Sequence, residues 1–236
     1  MRIDTSNRST SSEMMDDFSM QGPVLTDALD KIATVNRFLG GNRVTLEGIA
    51  ALLGTTPTGG VLRIVDVGCG NGDMLRTLAG YPGFKSLKLE LIGIDANQAS
   101  IDHARKLSAR FPDISYRCMD IFDPLEEGWT CDIMLFTLTL HHFSDRQILT
   151  LLGRLKNHVR TGIVVNDLQR SATAYRLFQA LSFVFGLSDM SREDGLVSIL
   201  RGFKKRDLLA YDKKLGRVQG TIKWRWAFRY LWIIRI

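Results

Sequence analysis

Apolar positions in this chain follow one period near its start and another through its middle. Leu25, Leu29, Ile32, Val35 and Leu39 recur at helical spacing, with Pro23 at the entry and Gly40-Gly41 at the exit, so a helix is predicted over residues 24–39. A shorter helix is predicted over 46–53, and GTTPTGG at 54–60 reads as a linker. After it, short apolar runs alternate with amphipathic stretches. Strands are predicted at 62–67, 87–95, 114–119, 132–137 and 162–167, and helices at 72–78, 98–109 and 145–159. Ser144 and Gln147 form a capping box for the last helix, each satisfying an otherwise orphaned backbone N–H. This alternation predicts a doubly wound parallel α/β sheet. Beyond Arg170, helices are predicted over 172–185, 192–200 and 204–215. Two closing strand-like runs, 217–226 and 228–234, lie too close together for a crossover helix and predict an antiparallel hairpin. Residues 1–21, polar and aperiodic, read as a mobile arm.

The chain has 236 residues, enough to bury roughly 70% of its unfolded surface without a disulfide or metal staple. Cys69, Cys118 and Cys131 are odd in number, far apart and form no CxxC pair, which argues against a disulfide framework and a zinc cluster and fits a cytoplasmic protein. The longest near-continuous apolar stretch, 177–187, falls well short of the roughly 18 residues of a membrane span, so neither secretion nor integral membrane association is expected. The formal charge is +6, but residues 201–236 hold eleven Lys/Arg against two Asp/Glu, which leaves residues 1–200 at −3. The basic character belongs to one end.

The strongest chemical signal is IVDVGCGNG at 64–72, a buried strand running into glycines at alternate positions and then a helix. Glycine admits positive φ and lets a ligand approach the main chain, and the helix start beyond it favours an anionic group. A dinucleotide site would place pyrophosphate here, but Asp73 stands where that motif has its third glycine, and an acid there disfavours phosphates. The second and third predicted strands also end on acids, Asp95 and Asp120. Carboxylates at the sheet's C-terminal edge suit ribose hydroxyls and an exocyclic amine, and Ile121 offers an apolar contact to a ring.

These residues resemble the class I S-adenosylmethionine-dependent methyltransferases, Rossmann-like enzymes of which the small-molecule type is the better match. VDVGCGNG at 65–72, LIGIDAN at 91–97, CMDIF at 118–122 and CDIMLFTLTLHHF at 131–143 look like four successive family motifs. The resemblance implies a seven-stranded sheet of order 3-2-1-4-5-7-6 with the seventh strand antiparallel, and S-adenosyl-L-methionine as cofactor. It implies that Asp66, Gly68 and Gly70 serve the methionine part, that Asp95 holds the ribose hydroxyls, and that Ala96 packs beside the adenine. Asp120 and Ile121 would read the amino edge, and Thr137 would lie near the sulfonium. Residues 57–236 would form the methyltransferase domain, with a helical insert at about 171–215, and residues 1–56 an arm and helical cover.

Methyl transfer from a sulfonium is an in-line displacement, so the protein's main task is alignment and exclusion of water. His141 and His142, just past the fourth strand, are the candidate general bases, imidazole being suited to proton transfer near neutrality. A purely structural pair capping the strand is the competing reading. Asn166-Asp167 either lines the acceptor pocket or forms a solvated turn, and Arg37 either reaches the cofactor carboxylate or is a surface cation. No metal site is expected. Tyr175, Phe178, Phe183, Phe185 and Met190 give the insert a surface for a small apolar or aromatic acceptor, methylated on oxygen or carbon as in secondary metabolism, and Met14, Met15 and Phe18 are candidates for a lid. Trp224, Trp226, Tyr230 and Trp232 among C-terminal cations raise the alternative of RNA methylation, but Lys223, Arg225, Arg229 and Arg235 alternate with apolar residues as a solvated sheet face would, which disfavours nucleic acid. A non-catalytic cofactor-binding homologue is a further alternative, and a homodimer is left open.

Overall fold

Nearly continuous Val, Ile and Leu runs need burial on both faces, and a parallel sheet sandwiched between helices provides it. The computed structural model describes residues 3–54, 60–216 and 219–236. Seven strands, β1 (Val61–Val67), β2 (Lys88–Asp95), β3 (Ile114–Cys118), β4 (Cys131–Thr137), β5 (Val159–Leu168), β6 (Gln219–Arg225) and β7 (Arg229–Arg235), form one sheet. Its order is β3-β2-β1-β4-β5-β7-β6, with β7 antiparallel to both neighbours. The strand order predicted from the resemblance is therefore observed.

Among the described residues eight α-helices complete the fold: α1 (Pro23–Phe38), α2 (Gly41–Leu53), α3 (Asp73–Ala79), α4 (Gln98–Leu107), α5 (Asp145–Leu155), α6 (Ala172–Val184), α7 (Asp189–Arg201) and α8 (Lys205–Leu215). One face of the sheet packs Ile49, Leu52, Leu75 and Ile101 from α2, α3 and α4, and the other packs Ile148, Leu152 and Leu208 from α5 and α8. In α5 the buried positions Ile148, Leu151, Leu152 and Leu155 make the apolar stripe, and Ser144 and Gln147 cap it reciprocally.

Three boundaries differ from the pattern-based ones for physical reasons. Helix α5 ends at Leu155 rather than near 159, because Val159 is taken into β5 by pairing with Cys131. Helix α2 starts at Gly41, well before residue 46, since buried polar contacts rather than apolar periodicity stabilise its first turn: Asn42 donates to Asp73 Oδ2 at 2.8 Å and accepts from Asn36 Nδ2 at 2.6 Å. The third change concerns the N-terminal arm, predicted to be mobile. Met14 and Met15 donate backbone N–H groups to the buried Asp194 at 2.7 and 3.0 Å, and Ser9 N–H reaches Leu200 O, so polar bonds to α7 hold it. The linker predicted at 54–60 falls largely, at 55–59, outside the described residues, as does the predicted start of the hairpin at 217. Among the described residues no helix is long and apolar enough to cross a membrane.

Candidate active site

The strand order reverses between β1 and β4, and a crevice opens at the C-terminal edge of the sheet at such a point. A cavity of about 920 Å³ lies there, walled by the arm, α1, α6, α7 and the β6–β7 turn. That volume has room for a nucleoside-sized ligand and a second small molecule. All ten site residues expected from the sequence, Asp66, Gly68, Gly70, Asp95, Ala96, Asp120, Ile121, Thr137, His141 and His142, line this one cavity.

Backbone geometry shapes its floor. Gly68 has φ +68°, and a Cβ there would come within 2.5 Å of Thr139 Cγ2. Gly68 N–H and Cys69 N–H both donate to Ile94 O, tying the turn to the end of β2. Asp95 braces it from the same side, accepting from Gly70 N–H at 2.9 Å and Asn97 N–H at 3.0 Å. Asp120 accepts from Phe122 N–H at 2.9 Å, and Thr137 shares a 3.1 Å hydroxyl contact with Thr45.

The electrostatics are uneven. Asp66 is 2% exposed, and its Oδ1 is buried without a hydrogen-bond partner. Burial, then the charges of Asp95 and Asp73, push its carboxyl up to about 8. Burial likewise raises Asp95, partly offset by the two backbone donors. An orphaned buried carboxylate beside backbone turns with positive φ fits a ligand that brings its own cation, as the sulfonium and ammonium of S-adenosylmethionine would.

On the facing wall His141 is 3% exposed. Its Nδ1 lies 2.7 Å from Asp167 Oδ1, while its backbone N–H donates to Asp167 Oδ2 at 3.0 Å. Asp167 is therefore no solvated turn residue: burial would raise its carboxyl, but the His141 charge and hydrogen bonds from His141 and the Leu168 backbone hold it below the usual range. In the neutral ring, with the Nδ1 proton donated to the carboxylate, Nε2 would carry the lone pair. That Nε2 is buried with no hydrogen-bond partner, 3.7 Å from Glu13 Oε1. His142 is less buried and sits 2.7 Å from Asp16 Oδ1.

The sequence reading missed the groups that hold this pair. Glu13, raised by burial, comes from the arm and accepts from Ser198 Oγ at 2.7 Å. Arg8 donates to the carbonyls of His141 and Phe143 at 2.8 and 2.9 Å, and Arg201 donates to His142 O at 2.5 Å and to Asp16 at 2.6 Å. Burial works against ionisation of Asp16, yet hydrogen bonds from His142 and Arg201 hold it far below the usual range. Glu13, His141 and His142 each offer a ligand atom within 4.8 Å of the others, but Arg201 Nη1 stands 3.6 Å from Glu13 Oε1. With that cation in place, the cluster reads as an ion-pair network.

Other expectations divide. Phe178, Met15 and Phe18 line the cavity, whereas Phe183 is 69% exposed beneath Arg192, and Phe185 packs on Phe38 outside it. Arg37 pairs with Asp73 at 3.5 Å and is not in the cavity wall. Asn166 is fully buried, donating to Gly41 O and Thr45 Oγ1. Lys223 and Arg225 face Glu47 on the surface as a solvated strand would, but Arg229 does not: it is buried at the cavity.

A mixed sheet of this order, with a glycine turn after its first strand and acids after the next two, is the class I methyltransferase α/β fold. Residues 64–162 match the family model described as a methyltransferase domain, so the chain carries a methyltransferase domain. No curated protein matches it in sequence. Among solved structures, the plantazolicin methyltransferase BpumL in complex with SAH is similar at 18% identity and TM-score 0.64, over 90% of this chain and 88% of that one. The magnesium protoporphyrin IX methyltransferase from Synechocystis PCC 6803 with bound SAH is similar at 14% identity and TM-score 0.55, over 84% of each chain. The citrinin polyketide synthase CMeT domain is similar at 19% identity and TM-score 0.58, over 79% of this chain and 49% of that one.

Proposed function

We propose that this chain methylates oxygen or carbon of a small acceptor with an apolar or aromatic body, using His141 as the general base. The observation that carries the reading is the buried Nε2 of His141, which has no hydrogen-bond partner, on a ring that Asp167 orients and a residue that lines the same cavity as the glycine turn. When bound, S-adenosylmethionine supplies an activated methyl group. Asp66 would meet the cationic amino-acid part, Gly68 and Gly70 would let it pass close to the main chain, and Thr137 would lie near the sulfonium. Asp95 would accept from the ribose hydroxyls, with Ala96, Asp120 and Ile121 around the adenine. His141 Nε2 removes the acceptor's proton, and Asp167 and Glu13 stabilise the imidazolium that results.

The arm, α1 and the insert at about 171–215 act as a cover over the 57–236 methyltransferase unit, because they supply the cavity walls that the sheet lacks. The names of the similar structures, attached to plantazolicin, magnesium protoporphyrin IX and citrinin synthesis, favour a discrete molecule over nucleic acid as acceptor.

The test of the function is mass-spectrometric detection of a labelled methyl group transferred from the cofactor to a panel of phenols and activated carbon acids. Transfer to one class is expected; no transfer to any of them would reject this acceptor class. Asp95→Ala is expected to weaken SAH binding by about 10-fold or more in isothermal titration, since two ribose hydroxyls lose their charged acceptor; unchanged affinity would remove the ribose assignment. Deleting residues 1–20 is expected to raise acceptor KM several-fold and lower kcat, as both Arg8 and Glu13 are lost. Unchanged constants would reject the cover role.

A further inference from the structure

At the β7 end the cavity carries a guanidinium whose hydrogen bonding the fold leaves unsatisfied. Arg229, the first residue of β7, is 3% exposed, and its Nε and Nη1 are buried with no hydrogen-bond partner. Its one Coulombic partner among the described residues is Asp167. That carboxylate is already engaged by His141 and by the Leu168 N–H. Burial lowers the guanidinium to about 10, which still leaves it charged at neutral pH.

A buried guanidinium whose Nε–H and Nη1–H find no acceptor is unfavourable, and an apolar side chain of similar volume would pack there at less cost. Gly41, lacking a Cβ, lets the backbone of α2 pack closely on this guanidinium and on Asn36. A Cβ on Gly41 would lie 3.1 Å from Arg229 Cζ and 1.9 Å from Asn36 Oδ1, and Asn36 Oδ1 is itself buried without a partner. Phe228, immediately before, is held at φ +53°, a strained conformation for a non-glycine residue. Arg229, Asn36, Phe228 and Trp226 all line the cavity.

We propose that Arg229 is the receptor for a carboxylate on the methyl acceptor, with Asn36 Oδ1 accepting from an O–H or N–H beside it. The planar guanidinium fork matches a carboxylate, and the adjoining Trp226, Phe228 and Leu168 match an aryl or alkyl body. This deepens the acceptor reading above and rests on it. The cofactor's own carboxylate is the competing source, and sheet geometry argues against it. Asp66 shares a row with Leu135 and Val164, whereas Arg229 pairs with Leu168, four residues beyond Val164 and three strands from β1. That separates the two Cα atoms by roughly 14 Å across the sheet and 13 Å along it. This Cα separation disfavours one amino-acid group meeting both residues, and the SAH titration below distinguishes the two carboxylates.

The test uses wild type, Arg229→Met and Arg229→Lys, each saturated with SAH and titrated with 3-hydroxybenzoate, phenylacetate and their amides. In wild type at least one carboxylate is expected to bind about tenfold or more tighter than its amide, with the preference under about twofold in Arg229→Met and partly restored in Arg229→Lys. SAH affinity is expected to stay within about twofold, and the SAH-free Arg229→Met protein to melt about 2–6 °C higher because buried donors without acceptors are gone. A wild type with no carboxylate preference, a preference that survives in Arg229→Met, or a lowered melting temperature in that variant would overturn the proposal. A tenfold loss of SAH affinity in Arg229→Met would overturn it too, moving the carboxylate to the cofactor. Wild type that binds no SAH at all would instead reject the methyltransferase reading on which the proposal rests.

Discussion

Alanine at position 141 is expected to lower kcat by about 10²–10⁴-fold while SAH affinity stays within about twofold. The size follows from what is lost: a base whose Nδ1 is fixed at 2.7 Å from Asp167 and whose Nε2 has no hydrogen-bond partner. Asp167→Asn is expected to approach the same loss, because an amide no longer enforces the tautomer that keeps Nε2 unprotonated. His142→Ala is expected to cost less than about tenfold, since His142 is partly exposed and already engaged with Asp16. Rapid-quench kinetics on the three variants separates these outcomes. Equal losses at positions 141 and 142, or none, would assign the pair to structure rather than proton transfer.

The second large effect is expected from Asp66→Asn. In the folded protein this carboxyl is pushed up to about 8, against roughly 3.9 in an unfolded chain. Its folded pKa is the higher one, so the folded state binds the extra proton between these values. The contribution to stability is therefore fully present below about pH 4 and is lost as pH rises through 8. Thermal melts of the SAH-free protein should fall across that window, with Asp95 and Glu13, both raised by burial, adding in the same direction. Asp66→Asn should flatten the slope and melt higher than wild type at pH 9. The same substitution should weaken SAH by about 10-fold or more, because the anion that receives the ligand's cation is gone. Binding to wild type should release a proton near pH 7, seen as a dependence of the titration heat on buffer ionisation enthalpy. A flat melt profile in wild type, or unchanged SAH affinity in the variant, would contradict this role for Asp66.

The residues proposed for the cofactor were legible as one cluster because the determinants that bring them together are local. A glycine turn must follow its strand directly, and acids at three strand ends, Asp66, Asp95 and Asp120, fall into place once the strands are recognised. The cover was much less legible. Glu13 and Asp16 meet His141, His142 and Arg201 across more than a hundred residues of chain, through polar contacts that carry no periodic signature. Helix α2 lost its first turn for the same reason.

Arg229 is the instructive miss. Read as one of several alternating cations, it belongs with Lys223 and Arg225 on a solvated face. Those two lie on the edge strand β6, whereas β7 is inserted between β5 and β6 and is covered on both sides. The strand order implied by the family resemblance already contained that distinction, since a central strand has no solvated face for an arginine to occupy.

Isothermal titration of SAH into the wild-type protein is the most direct measurement of whether this cavity is a cofactor site. One SAH per chain, at micromolar or tighter affinity and weakened in both Asp66→Asn and Asp95→Ala, is the predicted result. No saturable binding, or binding that neither substitution alters, would contradict it.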